Sequence, residues 1–116
     1  MHVLIVDDSD INCRILTRMV TVAGGHAAIA RNGLEAIEYL EAHRPDLIFM
    51  DLSMPVMDGF EATKRIRELF DADKLPIYAV SANVTEQYLS RCAEDGFNAF
   101  LPKPVRRDEI TKLVNA

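Results

Sequence analysis

Several apolar runs of this 116-residue chain end on side chains that can do chemistry. These side chains are Asp7 and Asp8, Asp51, Ser81 and Lys103. Carboxylates with one amine and one hydroxyl, and with no histidine or thiol nearby, are hard oxygen ligands of the kind that suits Mg²⁺. A bound Mg²⁺ accepts phosphate oxygens in its remaining coordination positions. If the apolar runs are parallel strands, their carboxyl ends share one edge of a sheet, where ligands of open α/β sheets bind.

Three carboxylates gathered at such an edge repel one another. At about 5 Å and an effective dielectric constant near 20, each pair costs roughly 3 kcal/mol. A raised pKa, a bound cation, or both must offset this repulsion. Mg²⁺ and Lys103 together bring the formal charge of three carboxylates to zero, so a phosphoryl group could then enter. Taken singly, the acids and Ser81 could instead cap helices or strand ends.

Strands and helices alternate along the chain, as apolar runs of strand length take turns with helix-period patterns. The predicted strands are residues 2–6, 27–30, 47–51, 76–81 and 97–101. The predicted helices are residues 11–23, 34–43 and 60–70, a short one around 88–92 that stops at Gly96, and 108–114. This alternation predicts an α/β fold with a doubly wound, five-stranded parallel sheet in one domain, residues 1–116.

Each of the first three predicted helices has a periodic set of apolar residues, which we expect to face the sheet. The sets are Ile11, Ile15, Leu16, Met19, Val20 and Ala23 in the first, Leu34, Ile37 and Leu40 in the second, and Phe60, Ile66, Leu69 and Phe70 in the third.

The composition is that of an ordinary globular protein, with 49% hydrophobic and 27% charged residues. No apolar run is long enough to span a bilayer and the first residues do not resemble a signal peptide, so we expect a cytoplasmic location. Cys13 and Cys92 have no metal-site spacing and suit a reducing compartment, as apolar fillers or surface thiols. The net charge of −5 argues against nucleic acid or anionic membrane as partners and favours proteins.

The chemistry-bearing residues lie in motifs that resemble those of response regulator receiver domains from two-component phosphorelays, and the resemblance covers the whole chain. The motifs are Val6-Asp7-Asp8, Met50-Asp51, Met54-Pro55-x-Met57-Asp58-Gly59, Val80-Ser81-Ala82 and Lys103-Pro104. The resemblance implies the flavodoxin-like strand order 2-1-3-4-5. It also implies a cis peptide bond between Lys103 and Pro104.

The resemblance further implies a role for each of these residues. Asp51 is the phosphoacceptor, which attacks a phosphohistidine on a donor protein. Direct ligands of Mg²⁺ are Asp8, Asp51 and the backbone carbonyl of Ser53, while Asp7 acts largely through water. Such a domain catalyses its own phosphorylation and dephosphorylation without being an enzyme in the usual sense.

Three further roles follow from the same resemblance. Lys103 pairs with one phosphoryl oxygen, and the Ser81 hydroxyl donates to another. Phe100, three residues before the lysine, follows the shift of Ser81 and switches the surface of the fourth helix, fifth strand and fifth helix.

The implied partner is a histidine kinase or a histidine phosphotransfer protein, and a homodimer through the switching surface is possible. The segments Ser9-Asp10-Ile11-Asn12 and Ser81-Ala82-Asn83-Val84 are most similar to receivers of hybrid sensor histidine kinases or single-domain relays. Whether these residues form a complete protein or part of a longer kinase stays open at this stage.

Three other functions are compatible with a sheet of this kind. A haloacid dehalogenase type of hydrolase also uses an aspartate and Mg²⁺, but it needs a second aspartate where Ser53 stands. A flavin-binding electron carrier needs a phosphate-cradling first loop, and Asp7 and Asp8 would repel that phosphate. A docking module that is never phosphorylated would not need the complete set of five residues.

Overall fold

The computed structural model describes residues 1–115, which form a five-stranded parallel sheet in the order β2-β1-β3-β4-β5. The strands are β1 (His2–Val6), β2 (His26–Ala30), β3 (Leu47–Asp51), β4 (Ile77–Ser81) and β5 (Ala99–Pro102). The helices are α1 (Asp10–Val22), α2 (Gly33–Ala42), α3 (Gly59–Arg67), α4 (Glu86–Asp95) and α5 (Arg107–Val114). The predicted α/β class and strand order are confirmed.

The sheet separates two apolar cores, because successive residues of a strand point to opposite faces. On one face, Val3, Ile5 and Phe49 pack with the buried residues of α1 and α5. On the other, Leu4 and Ile48 pack with buried residues of α2 and α3. Strands covered on both faces are apolar throughout, as the sequence of β3 indicated.

Side-chain caps start four of the helices close to the carboxyl ends of the strands. The capping residues are Ser9, Asn32, Asp58 and Thr85, each accepting a hydrogen bond from a backbone N–H three residues later. At the other end of α4, Gly96 takes a left-handed φ of 94° and ends the helix where the sequence predicted. The caps therefore set the residue at which each strand-to-helix loop ends, at the carboxyl edge of the sheet.

The packing face of α1 differs from the prediction. Ile11 and Ile15 are 70% and 47% exposed, whereas Leu16 and Val20 are buried as expected, together with Cys13, which the predicted set left out. The prediction left Cys13 out of the apolar set, but a free cysteine behaves as a small buried hydrophobe and here it faces the core. Cys13 and Cys92 are both buried, so of the two expectations for them the apolar filler is confirmed.

Several other sequence expectations are corrected at the ends of elements. α3 ends at Arg67, which leaves Leu69 73% exposed, and Leu34 on α2 is 44% exposed. β5 begins at Ala99 rather than at residue 97, because the Asn98 side chain binds the Ile77 N–H and forms a bend before the strand. Within residues 1–115, no helix has the length and apolarity that crossing a bilayer requires.

Candidate functional site

The carboxyl ends of β1, β3 and β4 place three polar side chains below the surface at one edge of the sheet. Asp7 is 1% exposed, Asp51 is 5% exposed and Ser81 is 4% exposed, whereas Asp8 beside them is open to solvent. Parallel strands bring these ends together although the residues are far apart in sequence. Burial of two carboxylates is unusual in a soluble protein and requires a compensating partner.

Asp7, Asp8 and Asp51 form an acidic cluster. Each contributes one carboxylate oxygen to a group whose members all lie within 4.8 Å of one another. Lys103 reaches into this cluster, with its Nζ 3.3 Å from Asp51 Oδ1 and 3.5 Å from Asp7 Oδ2. Four of the five side chains that sequence analysis assigned to one site are thus brought together around a small volume.

The environment of Asp51 raises its pKa to about 6. Burial is the largest cause, because it penalises the charged form, and the nearby Asp7 carboxylate adds to it. The Lys103 amine and a hydrogen bond from the Ser53 backbone N–H act in the opposite direction. The single Lys103 amine therefore offsets only part of the negative charge of the acidic cluster. A further cation in the pocket would be stabilised.

The acidic cluster fits a hard divalent cation. Asp7 Oδ1 accepts the Ser9 N–H at 2.9 Å, but Asp7 Oδ2 is buried and accepts no hydrogen bond among the described residues, although the Lys103 amine lies 3.5 Å away. A buried carboxylate oxygen left without a hydrogen bond is costly, and an oxygen ligand set without nitrogen or sulfur suits Mg²⁺. Ser53 lines the same open cavity of about 280 Å³, where its carbonyl is a candidate fourth ligand.

Ser81 joins the ends of β4 and β5. Its Oγ accepts the Asn83 N–H at 3.0 Å, so the hydroxyl proton stays available to donate into the cavity. Its backbone carbonyl accepts the Lys103 N–H at 2.9 Å, which continues the hydrogen bonding between the two strands one residue beyond the end of β5. The backbones of Ser81 and Lys103, which carry the hydroxyl and the amine of the site, are therefore directly hydrogen-bonded to each other.

The structure contains the cis bond that the resemblance implied, and it shows where Phe100 packs. The Lys103-Pro104 peptide bond is cis. Phe100 is half-buried and packs against a small cluster that includes Phe60, Ala79 and Cys92, directly beneath α4. The aromatic ring thus lies between the strand that ends at Ser81 and the helix that it is expected to influence.

Gly59 is a functional residue whose role sequence reasoning missed. A Cβ at this position would lie 2.2 Å from the Asp51 carbonyl oxygen, so α3 can begin against the backbone of Asp51 only through a glycine. The preceding Asp58 caps α3 by accepting the Glu61 N–H at 2.9 Å. Sequence analysis placed Asp58 and Gly59 in a motif but gave the glycine no role of its own, and the signal for this role was its position just after the Met-Pro segment.

An acidic pocket at the strand ends of a 2-1-3-4-5 parallel sheet, with a lysine reaching the central aspartate, defines a receiver domain. The chain belongs to this family, since the model of the response regulator receiver domain matches residues 3–115. The predicted family and its place in two-component signalling are confirmed, and a hydrolase or a flavin carrier is no longer a fitting alternative.

Individual relatives include both sensor kinases and a response regulator. Sensor histidine kinase RcsC of Escherichia coli K12 is 37% identical over 114 residues, which are 98% of this chain and 12% of RcsC. The polar-differentiation response regulator DivK of Brucella anthropi is 33% identical over 103 residues, which are 89% of this chain and 84% of DivK. The chain therefore spans a small part of the first relative and most of the second.

A solved structure gives a comparison for the cation. The receiver domain of sensor histidine kinase PA1611 from Pseudomonas aeruginosa PAO1 was solved with a magnesium ion coordinated in its active-site cleft. It is 31% identical to this chain with a TM-score of 0.88, over 98% of this chain and 93% of that one. The acidic cluster described above is of the kind in which such an ion binds.

Proposed function

We propose that this domain accepts a phosphoryl group from a phosphohistidine donor onto Asp51 in a Mg²⁺-dependent reaction. The observation that carries the proposal is the position of Lys103, whose amine lies within 3.5 Å of both Asp51 and Asp7. A shared amine among converging carboxylates is an arrangement suited to neutralise an incoming phosphoryl group. The donor is a histidine kinase or a histidine phosphotransfer protein.

Asp51 acts as the nucleophile. With a pKa of about 6 its carboxylate is mostly ionised at neutral pH, so an oxygen lone pair is available to attack phosphorus. As the Oδ–P bond forms, the P–N bond to the donor imidazole breaks and the ring nitrogen keeps the electron pair. The product is an aspartyl phosphate on Asp51.

Lys103 and Ser81 receive the transferred group. Lys103 exchanges its contact with Asp51 Oδ1 for one with a phosphoryl oxygen, and the Ser81 hydroxyl donates to another oxygen. Asp8, Asp51 and the Ser53 carbonyl would hold the cation directly, and Asp7 would hold it mainly through water. Bound there, Mg²⁺ supplies the positive charge that offsets the charge of the phosphoryl oxygens.

The phosphorylated state changes the surface formed by α4, β5 and α5. Donation from Ser81 to the phosphoryl group moves the end of β4, and Phe100 follows into the space beneath α4. Phosphorylation biases a population between two arrangements of this surface. A homodimer through it remains a prediction, as does autodephosphorylation by water that passes Ser53 and Asn83 at the rim.

The location of the reaction is also part of the proposal. Both cysteines are free and buried, a state that fits the reducing cytoplasm. Residues 1–116 are proposed to act as one receiver unit, with the donor protein supplying the phosphohistidine.

Incubation with Mg²⁺ and acetyl phosphate tests the phosphoacceptor directly. The native protein should gain the mass of one phosphoryl group, in a linkage that is labile to base, and Asp51→Asn should abolish the gain. Asp10→Asn is the matched control, because Asp10 is an exposed carboxylate near the cluster that pairs with Arg31. An unmodified native mass at saturating donor would contradict phosphorylation and favour a docking module.

A further inference from the structure

Val56 has a backbone conformation that its side chain disfavours. Its φ is 70°, the one positive value outside glycine among the residues described, and its side chain is 78% exposed. The Met57 N–H donates to the Pro55 carbonyl at 2.7 Å across it, so residues 55–57 form a γ-turn with a left-handed centre. A β-branched residue in this region is strained, and such strain persists where the surrounding structure enforces it.

α2 holds the turn from one side. The Gly33 N–H donates to the Met57 carbonyl at 3.0 Å. A Cβ on Gly33 would lie 2.8 Å from both the Met57 carbonyl oxygen and the Ala62 Cβ. The first residue of α2 therefore rests directly on the turn, and any larger side chain there would push Met57 away.

The chain after the turn is fixed against the phosphoacceptor strand. The Gly59 N–H donates to the Leu52 carbonyl at 3.3 Å, and the close approach of Gly59 to the Asp51 carbonyl excludes a Cβ. With Met57 held by α2 and Gly59 held by β3, a change in the Val56 torsion has to be absorbed by residues 53–55. Ser53 is the first residue of that segment and borders the acidic cavity.

We propose that the Val56 turn is a positioning element that preorganises the Ser53 carbonyl for the divalent cation, with Gly33 as its support. The inference rests on the proposed cation site and adds to it two residues that lie outside the ligand set. A carbonyl that is already in place does not have to be ordered when the ion binds, and the affinity is higher for that reason. The strain at Val56 is then the result of holding the loop in its binding geometry.

A matched pair of substitutions at the exposed position tests this without disturbing the core. Asparagine tolerates the left-handed region, so Val56→Asn keeps the turn with less strain. Proline fixes φ near about −65°, so Val56→Pro requires a rotation of about 135° from the observed torsion. Gly33→Ala attacks the same turn from α2.

Magnesium affinity is the readout, measured without any phosphodonor from the shift of the urea unfolding midpoint with MgCl₂ concentration. Val56→Asn should keep the native Kd within about twofold, Val56→Pro should raise the Kd by about tenfold, and Gly33→Ala should raise it by about threefold or more. Ile110→Val is the control for lost stability, because Ile110 lies in the core on the α1 and α5 face. It should lower the midpoint and leave the Kd unchanged.

Equal Mg²⁺ affinities for Val56→Asn and Val56→Pro would overturn the inference, as would a Kd that rises in Ile110→Val as much as in Val56→Pro. If Gly33→Ala does not fold, the Val56 pair still decides. A native chain whose midpoint does not respond to Mg²⁺ would overturn the cation site itself, so that failure is distinguishable from failure of the turn.

Discussion

Removing the charge of Asp51 should stabilise the fold at neutral pH when no divalent cation is present. Its pKa is about 6 in the folded protein and about 3.8 as a reference value, so the folded state binds the proton more tightly. The stability that this proton contributes is fully present below about pH 3.8 and is lost as the pH rises through about 6. Asparagine resembles the protonated carboxyl, so Asp51→Asn retains that stability at every pH.

The magnitude follows from the size of the shift. A displacement of about two pKa units corresponds to about 3 kcal/mol, and solvent screening at the open mouth of the cavity reduces this to about 1 to 2 kcal/mol. Near pH 7.5 the free energy of unfolding of Asp51→Asn should therefore be higher than that of the native protein by this amount. The difference should shrink toward zero near pH 4, where the native carboxyl is itself largely protonated.

Urea unfolding in EDTA at a series of pH values measures the effect. Asp73→Asn, at an exposed carboxyl in the turn after α3, is the control and should change the unfolding free energy little. Adding Mg²⁺ should reverse the order, since the native protein gains a cation ligand that the variant lacks. An Asp51→Asn variant that is no more stable than the native protein at pH 7.5 in EDTA would refute the reasoning.

Two other substitutions probe the switch and the opposite end of the sheet. Lys103→Ala should still allow phosphorylation of Asp51 but weaken the change in hydrogen exchange over α4, β5 and α5; an unaltered exchange response would show that Lys103 is misassigned. Arg67→Met should cost about 2 to 3 kcal/mol in urea unfolding, because its guanidinium donates to the carbonyls of Gly96 and Leu75 and to the Asn98 side chain, each at 2.8 Å. Arg65→Met, which loses one exposed ion pair, should cost less than about 1 kcal/mol, and equal losses would contradict this role for Arg67.

The sheet and the positions of the chemical groups followed from the sequence because they depend on local patterns. A fully apolar run that ends on a carboxylate specifies a buried strand and what stands at its tip, and parallel topology then gathers Asp7, Asp51 and Ser81. The face of α1 was not predictable in the same way. Ile11 and Cys13 are both apolar, and which of them turns inward depends on how closely the helix approaches the sheet.

The loop after Asp51 shows a second limit of sequence reasoning. Nothing in the identity of Val56 favours a positive φ, and the motif around it predicts no particular backbone conformation. The torsion is set by contacts that are distant in sequence, above all the carbonyl of Met57 resting on Gly33. A glycine in a loop or at a helix start can therefore be needed because another part of the backbone lies against it. This need becomes visible only from the three-dimensional contacts.

Among the described residues, α4 fully buries a single side chain, that of Cys92, and it presents Leu89 to solvent, with Val84 exposed in the loop just before it. Substitutions on its outer surface should therefore be nearly neutral for folding and leave the phosphoryl chemistry at the sheet edge intact. Evolution can then change which partner protein binds to this surface without changing the acidic site at the sheet edge. The same separation makes this helix a practical place to graft a new recognition surface onto the domain without changing the acidic site.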